Sequence, residues 1–455
     1  MVSNQFQKTA ENAPAGQADY CTYVEIYGKY RTGVTEEISN TTYRLYLGGN
    51  NTNDYNLLRN HAYTVNVTVR GRNEADMRVG NMLESANCFM VSQPSHEYTF
   101  NATVMGNESY IQNIIPTPLA PDGAMLLWET GEAGDVIAPG SVKLSDDCKF
   151  ISFRTSATIG GNAVIAAMKN GRVIWSWHIW STTYDPETDY DTYVTRTINQ
   201  SGYNSIPSRE IRMMKVNLGA AGTAASPEQG VSGFGLFYQW GRKDPFIGPA
   251  TVTAEQTNKP FTNLLATTNA TGYEWGIQAT LSSNNISQSI TNPTRMFTSS
   301  SGWCGSSFAS SKSLWGNPST DSKIPNPKQG SKSIYDPCPK GWRTPPSDTW
   351  TQFTTSVEPN TNKRDEFNVD GGWLSGFYCY YSAAGSGKTA FYPAAGGRDG
   401  IKGNWTPDKL EYWSSSAVAG TTFSGTVLYV TPGMIYPISQ APMSDAYPVR
   451  CAKEE

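Results

Sequence analysis

The sequence predicts a mostly β, multidomain protein, and three observations predict it. Aromatic residues make up 12% of the chain and charged residues only 16%, with 25 Tyr, 42 Gly and 27 Pro, a palette suited to twisted antiparallel sheets and polar loops rather than helices. Apolar and polar residues alternate with a period of two in short runs such as Tyr43-Arg-Leu45-Tyr-Leu47 and Tyr63-Thr-Val65-Asn-Val67-Thr-Val69-Arg70, as half-buried strands require. At 455 residues the chain is too long for one ordinary core, which gives about two to four domains.

Residues 1–80 carry those two strand runs. Residues 82–183 form a second unit with strand candidates Tyr98-Thr-Phe100-Asn-Ala102-Thr-Val104, Met125-Leu-Leu-Trp128, Phe150-Ile-Ser-Phe153 and Ala163-Val-Ile-Ala-Ala-Met168. Asn170-Gly171 joins the last of these to Arg172-Val-Ile-Trp175-Ser-Trp177-His178-Ile-Trp180. Asn-Gly between apolar runs signals a hairpin, because both turn positions need positive φ. The unit reads as an immunoglobulin-like β-sandwich. An acidic, proline-containing linker follows over 184–199, with Asp185, Glu187, Asp189 and Asp191 alternating, and residues 200–455 form a last module. There a helix is expected after Pro345-Pro346, with Ser347 as N-cap, Asp348 in the first turn and Trp350, Phe353 and Val357 on its apolar face. The Thr-, Ser- and Asn-rich stretch 250–330 reads as mostly loop or insertion.

The strings Tyr335-Asp-Pro-Cys338-Pro-Lys-Gly-Trp342-Arg343-Thr-Pro345, Tyr412-Trp413-Ser-Ser-Ser416 and Val449-Arg450-Cys451 resemble the Fibrobacter succinogenes major paralogous domain. Gly235-Leu-Phe-Tyr238-Gln-Trp240-Gly-Arg-Lys-Asp244-Pro-Phe246 and Phe391-Tyr-Pro-Ala-Ala-Gly396-Gly-Arg398-Asp fall in the order that family would place them. The family is similar to C-type lectin-like folds, so the resemblance implies a C-type lectin-like α+β module over 200–455. Cys338 opens this module and Cys451 shuts it, and a disulfide between them would fasten a long irregular loop region. Gly396, Gly397 and Arg398 match positions the family keeps, which implies that they hold their loop.

Asn12-Ala-Pro-Ala-Gly16, Tyr23-Val-Glu-Ile26, Tyr43-Arg-Leu-Tyr-Leu-Gly-Gly49 and Asp54-Tyr-Asn-Leu-Leu-Arg-Asn60 resemble the closing half of a fimbrillin-type pilin domain. Residues 1–80 are therefore expected to be a partial pilin-like β-sandwich. A sandwich without its first strands exposes unpaired edges, so the chain is expected to be a fragment of a longer precursor or to begin after processing. The order of the three parts is similar to that of tip or accessory subunits of fimbrillin-type (type V) pili in Bacteroidales. It implies an extracellular, cell-surface adhesin associated with the fimbrium or outer membrane. Pilus subunits would join it by strand donation, with Val65, Val67 and Val69 lining the groove, and the C-terminal module would bind a glycan or surface-protein receptor.

The net charge of −4 and the lack of a Lys/Arg-rich run argue against nucleic acid or an anionic membrane surface as the main partner. No apolar run reaches membrane-spanning length, and Met-Val-Ser-Asn-Gln-Phe-Gln-Lys carries neither a signal-peptide apolar region nor a lipoprotein cysteine. The seven cysteines, with Cys21, Cys88, Cys148, Cys304 and Cys379 beside the pair above, form no C-x-x-C pair, and the chain has three histidines. A zinc site is disfavoured, no cofactor is expected, and the odd count leaves at least one thiol unpaired.

Several motifs mimic chemistry. Ser382-Ala-Ala-Gly-Ser-Gly387-Lys388-Thr389 copies a phosphate-binding loop except at its first position, and Phe391-Tyr-Pro393 stands where a helix should run, so it reads as a surface turn. Glu358-Pro359-Asn360 has the letters of a calcium-dependent lectin site, displaced from its usual place. The 185–191 carboxylates have Tyr190 where a calcium loop needs Gly and read as a solvated linker. Trp175 and Trp177 should share one face of a strand and His178 and Trp180 the other, a structural arrangement. No H-E-x-x-H, G-x-S-x-G or Cys/His signature is present, so no enzymatic activity is expected. A secreted carbohydrate-active enzyme and a purely structural surface protein are the alternatives. The segment between Tyr381 and Tyr412 takes the place of the ligand loop in related folds. Its candidates are Arg398, Asp399, Asn404, Trp405 and Asp408, because an indole beside amides and carboxylates can stack on a sugar ring while hydrogen-bonding its hydroxyls. Trp405 and Asn404 are favoured.

Overall fold

A computed structural model describes residues 23–31, 38–46, 57–62, 81–109, 111, 114–198, 207–223, 225–247, 266–268, 275–281, 285–300, 302–304, 311–316, 332–418 and 423–454. The chain is mostly β and multidomain, and among the described residues the strands fall in several separate sheets with no closed barrel. Strands β1 (Tyr23–Arg31) and β2 (Ile38–Tyr46) form an antiparallel hairpin in register Tyr23↔Tyr46 to Arg31↔Ile38. Val65, Val67 and Val69 lie outside the described residues.

Eight strands then build a two-sheet sandwich: β3 (Asn81–Leu83), β4 (Cys88–Val91), β5 (Glu97–Asn101), β6 (Gly123–Thr130), β7 (Lys143–Leu144), β8 (Phe150–Arg154), β9 (Asn162–Lys169) and β10 (Arg172–Ser181). One sheet runs β3-β5-β8-β7, and in the other the order is β6-β9-β10-β4. The Asn170-Gly171 turn forms as its residues dictate, with φ of 49° and 72° and Lys169 paired to Arg172. Phe100 fastens the sheets to each other, its ring centroid 4.7 Å from Phe89 and 4.8 Å from Trp177. Glu129, 1% exposed, accepts the backbone N–H groups of Gly134, Val136 and Ile137 at 2.9–3.0 Å. Its buried oxygens are thereby satisfied by the loop it organises.

The strand β9 is buried from Asn162 to Met168 without alternation, the signature of a sheet covered on both faces. The second cover is the C-terminal region. On β10, Trp177 points into the sandwich against Phe100, while on the opposite face the Trp180 indole donates to Ala220 O at 3.0 Å and the Ser176 hydroxyl to Asp244 at 2.6 Å. His178 meets Asn162 at 2.9 Å on that same outer face. The expected split of Trp177 from His178 and Trp180 is thus present, but Trp175, expected beside Trp177, follows a register shift at Val173/Trp175 and has its ring 5.9 Å from Tyr335 and 4.6 Å from the Lys243 ammonium. Asn87 adds donors to Ile334 O and Asp336 O at 2.6 and 2.8 Å, and one apolar cluster runs without a break from Ala86 to Cys451.

The remaining strands are β11 (Tyr190–Val194), β12 (Glu210–Met214), β13 (Phe237–Gln239), β14 (Ala266–Thr268), β15 (Gly276–Ala279), β16 (Arg295–Thr298), β17 (Trp342–Arg343), β18 (Val369–Asp370), β19 (Gly376–Tyr380), β20 (Thr389–Pro393), β21 (Gly397–Arg398), β22 (Trp405–Thr406), β23 (Leu410–Val418), β24 (Ser424–Thr431), β25 (Met434–Pro442), β26 (Ala446–Pro448) and β27 (Ala452–Lys453). They form sheets β11-β12-β27-β17, β13-β26-β21-β22, β15-β16, β18-β19-β20 and β23-β24-β25, and β14 adds to β6 at the edge of the sandwich. The segment 184–199 is thus not all linker: β11 pairs with β12 there. The 382–389 string is the exposed turn between β19 and β20, with Tyr380 paired to Thr389.

Cys338 and Cys451 are disulfide-bonded across 113 residues of chain. Buried Lys332 donates to the carbonyls of Cys338, Pro339 and Trp342 at 2.6–2.8 Å. Buried Asp336 accepts the N–H groups of Cys338 and Thr344 at 2.9 Å. Arg450 sits in a tyrosine box, 3.9 Å from the Tyr392 ring centroid, and donates to Asn217 and to Phe391 O.

The helix expected from Ser347 to Val357 does not form. A turn and one 3-10 segment, Thr351–Phe353, stand in its place. Asp348 is spent on a bidentate pair with Arg209 at 2.8–2.9 Å, and the hydroxyls of Thr349 and Thr351 bond back to the carbonyls of Pro346 and Asp348. Such local bonds compete with helical ones, and Thr354 leaves to pair with Phe367. Trp350 and Phe353 are buried as expected, but Val357 is 87% exposed. The helix of this region, α1 (Asn285–Thr291), lies instead within the stretch read as loop.

Candidate ligand loop

The strands β21 and β22 make a hairpin, Gly397↔Thr406 and Arg398↔Trp405, whose connecting residues 399–404 hold four of the five candidates at or beside them. Asp399 acts as an internal template. Its Oδ1 accepts the N–H groups of Ile401 and Lys402 at 3.1 and 2.7 Å, and its Oδ2 accepts Asn404 N–H at 2.9 Å. A short carboxylate that bonds the backbone just ahead of it fixes a turn. Arg398, 1% exposed, donates to Ile247 O and Gly403 O at 3.1 and 3.0 Å, and burial pushes its guanidinium down to about 9.

Trp405 is half-buried, and its indole N–H donates to Ala395 O at 3.0 Å. The ring leans on Gly396, where an added Cβ would lie 2.8 Å from the indole nitrogen and 2.1 Å from Thr406 O. Gly396 also has a φ of 69°, so both backbone and space require glycine there. Asn404 is half-buried and gives its backbone, not its side chain, to the turn. Asp408 is exposed at a φ of 65°. Arg398 and Asp399 therefore hold the loop, while part of the Trp405 ring and the Asn404 amide remain at the surface. Ile401 at the tip is 63% exposed.

The other motifs are dispersed. Asp185 caps its own turn through Glu187 N–H and the Thr188 hydroxyl, Glu187 accepts from Trp342 and Lys453, Asp189 pairs with Lys215, and Asp191 accepts from Tyr381. The Asn360 amide exchanges two hydrogen bonds with the Ile438 backbone. His178 is buried between Asn162 and Tyr238, and burial lowers it to about 3. Among the described cysteines outside the disulfide, Cys88, Cys304 and Cys379 are buried and Cys148 is exposed.

Two features escaped the sequence. Glu411, behind the loop, is 6% exposed, and burial raises its carboxyl to about 7. A cavity of about 390 Å³ lies on the seam between sandwich and module, lined in part by Phe89, Met90, Tyr184, Glu187 and Trp342. Its walls come from four separated segments, which leaves no local signal.

Residues 1–67 match the family described as a domain of unknown function (DUF4906). That match covers the N-terminal hairpin and names no activity. No curated protein and no solved structure matches the chain. Among the described residues no helix is long and apolar enough to cross a membrane.

Proposed function

We propose that this protein is a cell-surface adhesin, a pilus tip or accessory subunit that binds a glycan or surface protein through the 397–409 loop of a C-type lectin-like module. The observation that carries the proposal is the division of labour in that loop. Arg398 and Asp399 spend their polar groups on its backbone, which leaves a preorganised turn with an indole edge and an amide at the surface. A site built this way does not have to order itself on binding. The disulfide of the module supports an extracellular setting, since such bonds persist in oxidising compartments. The N-terminal region would join other subunits by strand donation, and no cofactor is assigned. The protein is read as a binding module and not as an enzyme.

A broad glycan array, with and without Ca²⁺, tests the proposal when the wild type is run beside a Trp405→Ala/Asn404→Ala variant. Binding by the wild type that the variant loses is expected. Retention of binding by the variant would remove the site from this loop, and a blank array would move the receptor to the protein class.

A further inference from the structure

The strand β4 is the outer strand of its sheet, beside β10, and its free edge is only partly covered. The bonds from His178 N–H to Asn87 O at 2.8 Å and from Thr182 N–H to Val91 O at 2.9 Å, with Trp180 opposite Met90, set the phase of this parallel ladder. Phe89 and Val91 therefore spend their backbone groups on β10, while those of Cys88 and Met90 point away from it. Cys88 is covered by a parallel bridge to Pro339. Since proline has no N–H, that bridge joins Cys88 to the carbonyl of Cys338 and the N–H of Lys340. The module's chain then turns aside, with Trp342 N–H bonded to Pro339 O at 3.0 Å. Further along β4, the Met90 N–H and carbonyl meet no partner among the described residues.

This open edge borders the seam cavity of about 390 Å³, a volume within the range of ligand sites. Phe89, Met90, Pro339 and Trp342 give the cavity apolar walls, and Glu84, Asp185, Glu187 and Lys340 supply its charges. Two of the three carboxylates have a cation: Lys340 pairs with Glu84 at 3.6 Å, and Lys453 with Glu187 at 2.5 Å. The Asp185 carboxylate is exposed and bonds only within its own turn, to Glu187 N–H and the Thr188 hydroxyl. No cation pairs with it among the described residues. An open N–H and carbonyl on a strand edge match the backbone of an added strand, which presents an acceptor and a donor at the same spacing. The excess of negative charge selects a basic side chain on that strand.

We propose that the seam cavity is a docking slot for an extended segment of a partner chain, which pairs its backbone with Met90 and brings a Lys or Arg to Asp185. The segment follows along β4 the line that residues 338–340 leave, so that sandwich and module hold it together. The slot lies outside the 397–409 loop and does not rest on the reading of that loop as a ligand site.

The probe is an array of capped pentapeptides of alternating Thr and Val in which the central residue is varied, presented to the intact chain. Peptides with a central Lys or Arg are expected to bind about threefold more tightly than the Glu peptide, the size of an exposed ion pair, and Asp185→Asn removes that preference. In the free chain the Met90 amide should exchange at least about tenfold faster than the Val91 amide, and the Lys peptide should close that gap. Met90→Pro loses only the outward N–H, which an edge strand tolerates, so it should abolish peptide binding while the unfolding midpoint stays near that of the wild type. If Met90→Pro fails to fold, the exchange of the Met90 amide carries the test. An array without a binder, equal binding of the Lys and Glu peptides, full binding by Met90→Pro, or a Met90 amide left unprotected under saturating peptide would overturn the proposal. A blank glycan array leaves it standing, so the two failures are distinguishable.

Discussion

The sandwich and the C-terminal module are held by different means. In the sandwich, apolar side chains on regular strands supply the core, as Phe89, Phe100 and Trp177 do across the two sheets. In the module, beside an apolar cluster around Trp350, Phe377, Tyr412 and Ile435, the irregular backbone is kept in place by buried polar groups: Lys332 and Asp336 shape the Cys338 turn, Arg450 fills a tyrosine box, and Arg398 ties its loop. The contrast teaches that irregular backbone can be as fixed as a sheet when its carbonyls and N–H groups find charged partners. It also separates what can be disturbed where.

The largest effect is expected in the sandwich. Trp177→Ala should cost about 3–5 kcal/mol, from lost burial and the cavity left behind, as read by urea unfolding. Replacing both Cys338 and Cys451 by Ser should cost about 4 kcal/mol through the freed loop of the unfolded chain. An equal loss on reduction of the wild type would confirm that the bond, and not side-chain packing, is responsible.

Acid and base should then probe opposite sides. His178 is neutral in the fold with a value of about 3 against 6.5, so the unfolded chain binds the extra proton. Its contribution is present above about pH 6.5 and is lost as pH falls towards about 3. Glu411 is raised from 4.5 to about 7, so the folded chain binds the extra proton. Its contribution is present below about pH 4.5 and is lost as pH rises through about 7. Stability profiles of Glu411→Gln and wild type should therefore part on the alkaline side. Coincidence there would break the comparison.

Smaller effects belong to the loop. Asp399→Ala should cost about 1–3 kcal/mol, visible as faster exchange at Ile401, Lys402 and Asn404. Asp408→Gly should be near neutral or slightly stabilising, by less than about 1 kcal/mol, because the positive φ suits glycine. A large loss at Asp408 would mean that its carboxylate has a structural partner after all.

The same contrast explains what could be read from the sequence. Asn170-Gly171 and the two faces of β10 were legible because a two-residue period and a turn type are local. What covers the outer face of β10 was not, since Ala220 and Asp244 reach it from distant parts of the chain. The 347–357 segment was misread because Ser347 and Asp348 satisfy the signals of a helix start, while Asp348 pairs with Arg209 and the Thr349 and Thr351 hydroxyls bond back to the backbone. In the candidate loop, Trp405 and Asn404 stood out by residue type, and both are half-buried there. The template role of Asp399 was not, because a carboxylate offered to a ligand and one offered to its own backbone look alike in one dimension. Glu411 gave no sign at all, as nothing beside it in the chain marks its burial.

The measurement closest to the centre of this account is thermal unfolding of the intact chain, followed at once by calorimetry and by exchange at Ile165 in the sandwich and Leu428 in the module. An apolar cluster that runs from Ile165 in the sandwich to Val427, the chain neighbour of Leu428, and the Asn87, Ser176 and Trp180 bonds predict one cooperative transition for both probes. Two separate transitions, with Leu428 exposed while Ile165 stays protected or the reverse, would show that sandwich and module are independent bodies and that the loop is not carried on a common base.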